Sequence, residues 1–256
     1  MFVSFVFKIK SLEEGVLHKT RESVHEFIDK IIKEDDDEIQ GSKSNVYTVS
    51  GIMGKEDNDT IEEMKNCYIR ITVLEEKVFQ VISSKIFLKC TLKEHICIGG
   101  LKFEANAILC DESQSIWAFS FNDEIMDAPI EKQEIKIITP AYIENTKNPF
   151  DIIYNEGEIF RNAINAINRY SKYYLDEEVI EEVNKVGIEI KSLKMKRVQA
   201  YGKNFNGIYG SIEINLSSIH EKFRNTLMLI IEAMKYIGIG NGSKIGYGHI
   251  VVSNVN

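Results

Sequence analysis

No stretch of this chain reaches the roughly 18 consecutive apolar residues that a membrane-spanning helix needs. The opening residues, Met-Phe-Val-Ser-Phe-Val-Phe-Lys, lack the basic start and small-residue cleavage site of a secretory signal, and they alternate like a strand. The four cysteines, at 67, 90, 97 and 110, form no CxxC pair and have no histidine pattern beside them, which argues against a zinc site. Cys97 and Cys110 alternate with apolar neighbours and are expected to be buried strand residues in a reducing cytoplasm. Asp35-Asp-Asp-Glu38 is acidic, but its carboxylates are consecutive and lack the spacing of a calcium loop, so it reads as a solvated loop. No metal and no cofactor is therefore expected.

Positive charge is also short. Lys and Arg number 31 against 39 Asp and Glu, a net charge of −8, whereas an indiscriminate nucleic-acid binder needs cations for phosphate. The deficit is uneven. Residues 1–128 carry 15 basic and 24 acidic side chains, while residues 187–256 carry 9 and 4. Lys191, Lys194, Lys196, Arg197 and Lys203 crowd together there, an arrangement suited to selective contact with RNA or with a partner protein.

That basic end leads into Tyr-Ile-Gly-Ile-Gly-Asn-Gly-Ser-Lys-Ile-Gly-Tyr-Gly-His-Ile, residues 236–250. Gly238, Gly240, Gly242, Gly246 and Gly248 place five glycines in eleven residues, with Ser243 and Lys244 at the tip. Glycine tolerates positive φ and lets a ligand approach bare backbone, so such a loop can aim several N–H groups at a phosphate. A dinucleotide fingerprint would sit between a strand and a following helix, and a Walker loop would open a helix with Gly-Lys-Ser/Thr. Here the loop follows an amphipathic helix and runs into a strand, which excludes both.

The apolar periodicity gives the same unit twice. Strand Phe2–Lys10, helix Glu22–Lys33, strands Val46–Ile52 and Cys67–Val73, helix Leu74–Ser84 and strand Ile96–Leu109 make β-α-β-β-α-β. Strand Glu134–Ile143, helix Glu156–Tyr173, strands Ile188–Tyr201 and Gly207–Leu216, helix Ser217–Tyr236 and strand Tyr247–Val252 repeat it. The expected fold class is α+β, two tandem ferredoxin-like (RRM-like) domains at 1–120 and 121–256, the second ending in the glycine-rich loop. Residues 34–45 and 54–65 read as polar loops.

A C-terminal loop of the form G-h-G-x5-G-h-G resembles that of the CRISPR-associated RAMP superfamily. Three further segments stand in the order its repeat-cleaving endoribonucleases have them: Val46-Tyr-Thr-Val-Ser50, Ile137-Ile-Thr-Pro-Ala141 and Phe205-Asn-Gly-Ile-Tyr-Gly210. The resemblance implies metal-independent cleavage of CRISPR repeat RNA in the cytoplasm, with other CRISPR effector subunits as further partners and no membrane. It leaves open a non-catalytic RAMP subunit that holds guide RNA. It also implies that Gly238, Gly240, Gly242, Ser243, Lys244, Gly246 and Gly248 bind RNA, with Lys194, Lys196 and Arg197 adding charge.

Such cleavage activates the 2′-hydroxyl against the adjacent phosphate, and needs a general base, a general acid and a cation for the phosphorane. Of five histidines, His95, His220 and His249 read as structural. His18 and His25 lie seven residues apart, two helical turns, with Arg21 between them. His25 is the leading catalytic candidate, with His18 assisting, because some relatives carry the histidine within the first helix. Many relatives place it instead at the end of that helix or in the loop that here reads Glu38–Asn45, which has none. Some relatives clamp the backbone with Lys and Tyr, which here would be Lys43 with Ser44 and Tyr47.

Overall fold

A computed structural model describes residues 2–33, 46–54, 60–121, 130–144, 146, 148–155 and 157–255. The chain divides into two compact units, Met1–Ser120 and Phe121–Asn256.

In the first unit β1 (Val3–Ser11) is followed by β2 (Gly15–Val16), α1 (Thr20–Lys33), β3 (Tyr47–Val49), β4 (Thr60–Ile61) and β5 (Asn66–Val73). Then come α2 (Glu76–Leu92), β6 (His95–Ile98), β7 (Leu101–Leu109) and β8 (Phe119–Ser120). The sheet runs β3-β5-β1-β7-β6, all antiparallel, with β8 also on β1, while β2 and β4 pair separately. Helix α1 buries Val24, Ile28, Ile31 and Ile32, the 3- and 4-residue spacing of one helical face. Phe7 meets it by stacking on Phe27 at 6.4 Å between centroids. On the sheet's other face Arg70 is wholly buried. Its Nε donates to Ser4 Oγ at 2.9 Å, and its guanidinium lies 5.4 Å from the Trp117 ring and 5.2 Å from that of Phe119.

The second unit contains β9 (Lys132–Ala141), α3 (Asp151–Tyr154), α4 (Arg161–Tyr170), α5 (Glu177–Asn184), β10 (Gly187–Ala200), β11 (Lys203–Asn215), α6 (Glu221–Ile237) and β12 (Ile250–Asn254). Its sheet runs β10-β11-β9-β12, again antiparallel. In both units, therefore, the strand that follows the first helix is outermost, the third strand pairs with the first, and the last closes the first strand's other side. This is the ferredoxin-like order, seen twice. Ile135, Ile137, Ile212, Ile214 and Ile250 are buried on the sheet, and α6 buries Phe223, Leu227, Ile230, Ile231 and Met234. Each such fully buried aliphatic contributes roughly 1.5–3 kcal/mol relative to exposure.

Four expectations are corrected. The span 96–109 is a hairpin, because Gly99 and Gly100 take φ 58° and 93° and turn the chain. The span 156–173 breaks at Gly157, φ 69°, where a β-carbon would lie 1.9 Å from Asn184 Oδ1. The intervening helix α5, capped by Asp176 accepting from Val179 N, has no counterpart in the periodic reading. Cys97 and Cys110 are exposed, because alternation turns Ile96 and Ile98 inward and Cys97 out; of the four thiols only Cys67 is fully buried. Residues 34–45, and residues 55–59 of the second polar stretch, lie outside the described residues. Among those described, no helix is long and apolar enough to cross a membrane.

Candidate functional site

On α1, Arg21, His25 and Asp29 are spaced four residues apart and so share one helical face. Edge strand β3 turns Tyr47 to the same side of the sheet as Val49 and its partner Ile71, the side that α1 covers. The two elements bring three polar groups together. His25 Nδ1 stands 3.4 Å from Asp29 Oδ2, and His25 Nε2 stands 3.1 Å from the Tyr47 hydroxyl. Tyr47 donates to Asp29 Oδ1, closing a ring of three side chains. The imidazole and phenol rings lie nearly parallel, 21° apart with centroids 5.4 Å apart. His25 is 12% exposed and Asp29 31%, so the ring is sheltered yet open at one edge.

Proton bookkeeping defines its chemistry. A tyrosine has one hydroxyl proton, and here Asp29 receives it. Tyr47 therefore offers a lone pair to His25 Nε2, which must carry hydrogen to bond it. For Nδ1 to bond the Asp29 carboxylate, it too must carry hydrogen. With Asp29 ionised, all three interactions are satisfied together when the imidazole carries both protons. That state can donate a proton; after donation the same imidazole can accept one.

His18 does not join this group. Lys19 takes a left-handed φ of 53° and α1 starts only at Thr20, so the seven-residue spacing does not stack the two imidazoles on one helix. His18 is exposed on the preceding turn. Lys43 and Ser44 lie outside the described residues. Arg21 lies against the backbone after β3, its Cγ 3.3 Å from where a β-carbon on Gly51 would be. Asp29 was missed in the sequence, although its four-residue offset from His25 was visible there.

In the second unit three of the sequence landmarks converge. Thr139 Oγ1 donates to the Gly246 carbonyl at 3.0 Å and accepts from His249 N at 2.9 Å. Pro140 O accepts from Gly248 N at 3.1 Å, and a β-carbon on Gly207 would lie 2.8 Å from that of Pro140. Phe205 stacks on Tyr142, centroids 4.4 Å apart, and Tyr142 meets Tyr247 edge-on; Val198, Ala200 and Ile245 complete this cluster.

Most of the backbone N–H groups of residues 238–248 are engaged within the chain itself: those of Gly238, Ile239, Asn241, Ile245, Gly246, Tyr247 and Gly248 are donated to its carbonyls. Gly238, Gly240, Gly242, Gly246 and Gly248 all have positive φ, between 68° and 86°. Side chains at several of them would strike the protein. A β-carbon on Gly240 would lie 2.5 Å from Tyr142 O, and one on Gly242 would lie 2.4 Å from the Tyr142 hydroxyl. Ser243 is buried and Lys244 half-buried. The glycines pack the loop.

The basic segment lies on β10, an edge strand, where lysines also deter pairing with a foreign strand. Lys191 is occupied by Glu189 at 2.8 Å and Glu213 at 3.2 Å, which raise its pKa. Lys132, bonded at 2.8 Å, and Lys191 hold Glu213 below the usual carboxylate range. Lys194, Lys196 and Arg197 are exposed and, among the described residues, have no carboxylate partner. Strand alternation sends Lys194 and Lys196 to one face and Arg197 to the other. Burial pushes the Cys90 thiol up to about 11 and raises those of Cys67 and Cys110, which suits none of these three to act as a nucleophile.

Residues 135–250 match the model of the family CRISPR-associated endoribonuclease Cas6. None of the curated proteins is similar in sequence. Among solved structures, a Cas6 determined as a product complex superposes with a TM-score of 0.80 at 15% identity, over 99% of this chain and 100% of that one. Thermus thermophilus Cas6 gives 0.70 at 15%, over 99% and 98%. The product of a Cas6-related gene from Pyrococcus furiosus gives 0.67 at 12%, over the whole of both chains.

Proposed function

We propose that this chain, which resembles Cas6 in sequence over residues 135–250 and in fold over nearly its full length, is a CRISPR repeat-processing endoribonuclease. The observation that carries the reading is the His25–Asp29–Tyr47 ring, an acid–base device on the first helix of this fold. Structural neighbours determined as Cas6 product and substrate-mimic complexes support RNA as the substrate.

The reaction needs no metal in this reading. A base removes the 2′-hydroxyl proton, and O2′ attacks the adjacent phosphorus to give a pentacoordinate phosphorane. The P–O5′ bond breaks, a proton passes to O5′, and the products carry a 2′,3′-cyclic phosphate and a 5′-hydroxyl. His25 exchanges the proton, Asp29 orients the imidazole and balances its charge, and Tyr47 gives a second relay. Arg21, one helical turn from His25, is one candidate cation for the phosphorane, and Lys43 is a second. Lys194, Lys196, Arg197 and Lys244 attract the RNA backbone, and the glycines of residues 238–248 fix the shape of the loop that carries Lys244. The work is done in the cytoplasm, and further CRISPR effector subunits are candidate partners.

One observation favours a second reading. Both ring nitrogens of His25 are already engaged by Asp29 and Tyr47, which a purely structural histidine in a subunit that holds guide RNA without cutting would also satisfy. Incubating end-labelled repeat RNA in EDTA with wild-type protein and with His25→Ala decides between them. Cleavage by the first and not the second is expected; a wild-type protein that binds but leaves the RNA intact would be the non-catalytic subunit.

A further inference from the structure

We infer that the solvent face of α4 and the turn after it form a second RNA-binding track, ending in a tyrosine platform on which unpaired bases stack. The inference rests on reading the chain as an RNA-processing protein. Residues 159–175 contain no carboxylate, in a chain with 39 of them, but hold Arg161, Arg169, Lys172 and tyrosines at 170, 173 and 174. Arg161 and Arg169 are two helical turns apart and both exposed, about 12 Å along the helix, with Lys172 beyond them. Arg161 is paired with Glu158 at the start of the track. That start lies at the glycine loop, because Asn162, beside Arg161, donates its Nδ2 to the Gly240 carbonyl at 2.7 Å. The track is thus continuous with the segment that carries Lys244.

The far end is rigid where rigidity matters and open where a base would land. Ser171 N donates to Ile167 O at 3.0 Å, and Tyr173 N donates to Ser171 Oγ at 3.0 Å. Asn168 grips Leu175 from both sides, accepting from its N at 2.6 Å and donating to its O at 3.1 Å. Between these clamps Tyr174 is 80% exposed, the most exposed of the large hydrophobic side chains among the described residues. Arg169 sits 5.5 Å over the Tyr170 ring and Lys172 5.3 Å over that of Tyr173, so cations stand beside the π-faces. Aromatic faces flanked by cations suit single-stranded RNA, which offers a base and a phosphate at every step. The acidic helix α5 follows, but Glu178 and Glu182 are paired with Lys222 at 2.8 Å and Lys185 at 2.9 Å, which reduces its repulsion.

The test is fluorescence anisotropy with a fluorescein-labelled uridine 12-mer and an abasic strand of equal length. Tyr173→Ala/Tyr174→Ala should bind the uridine strand at least about five-fold more weakly, since base–aromatic stacking is removed. Tyr173→Phe/Tyr174→Phe should restore it, and the two tyrosine variants should not differ on the abasic strand. Arg169→Gln/Lys172→Gln should weaken both strands and reduce the salt slope by roughly 0.7 for each phosphate no longer neutralised. Unchanged melting of each variant shows that the fold is intact. Equal binding of the uridine strand by wild type and the double alanine variant overturns the platform, as does failure of the wild type to bind that strand. A self-association in ultracentrifugation that the alanine variant loses, with RNA affinity unchanged, also overturns it and assigns the edge to protein docking. Repeat-RNA cleavage in EDTA is scored separately, so a protein that cuts but does not stack loses only the platform.

Discussion

Gly248 and Ile239 approach so closely that a β-carbon at position 248 would lie 1.9 Å from the Ile239 carbonyl oxygen. The Gly248 carbonyl in turn accepts from Ile239 N at 3.0 Å. The loop between them is a closed clasp, made possible by bare backbone at each crossing. This relationship changes what glycine substitutions should do.

Gly248→Ala should destabilise the protein by more than the roughly 1–3 kcal/mol of a disfavoured φ alone, because backbone must move. Gly100→Ala is the control: φ is 93°, but nothing lies within 4 Å of the added carbon. Thermal melting should show a clearly larger loss at 248. Gly240→Val should also melt early, rather than remain stable with weakened RNA binding. Equal losses at 248 and 100 would mean that the clasp relaxes at little cost.

His25→Ala should lower single-turnover cleavage of repeat RNA by about 10² or more, with affinity nearly intact. Asp29→Asn should cut the rate less. A full rate in His25→Ala would shift the chemistry to Lys43 or elsewhere.

Glu213 supplies a pH signature of stability. Its folded carboxyl is held below the ordinary value of 4.5 by Lys132 and Lys191. The unfolded chain therefore takes up the proton first as pH falls, and the contribution is complete above the unfolded value and lost on descent through the folded one. Glu213→Gln should melt earlier than wild type at neutral pH, with the gap closing below about pH 4.5. A gap that persists at acid pH would assign the effect to packing.

Lys194→Ala/Lys196→Ala/Arg197→Ala should weaken RNA binding and lower the slope of log K against log salt by roughly 0.7–0.9 for each phosphate left unneutralised. Because Arg197 faces away from the two lysines, Lys194→Ala/Lys196→Ala is expected to account for one part of the weakening and Arg197→Ala for a separable one. An unchanged slope in the triple variant would put the RNA path elsewhere.

Much of the fold was legible. The spacing of Val24, Ile28 and Ile31 marks α1, and strands alternating around Phe5, Phe7 and Ile9 mark β1, because local burial imposes its period on the sequence. Where φ rather than hydrophobicity decides, as at Gly99–Gly100 and Gly157, periodicity ran through a turn and merged two elements. The parity of Cys97 was misread for a related reason: alternation shows that two faces differ, not which one is covered.

The sequence by itself determined the two ferredoxin-like repeats, the order of the motifs, the charge asymmetry and the Arg21–His25–Asp29 row, all consequences of local spacing. Only the tertiary structure decided which of these meet. Tyr47 reaches His25 across 22 residues because β3 pairs with β5, and Thr139 reaches Gly246 across 107 because β9 lies beside β12. Such meetings follow from sheet order and from which backbone groups must be satisfied on burial. Neither leaves a periodic trace in the chain.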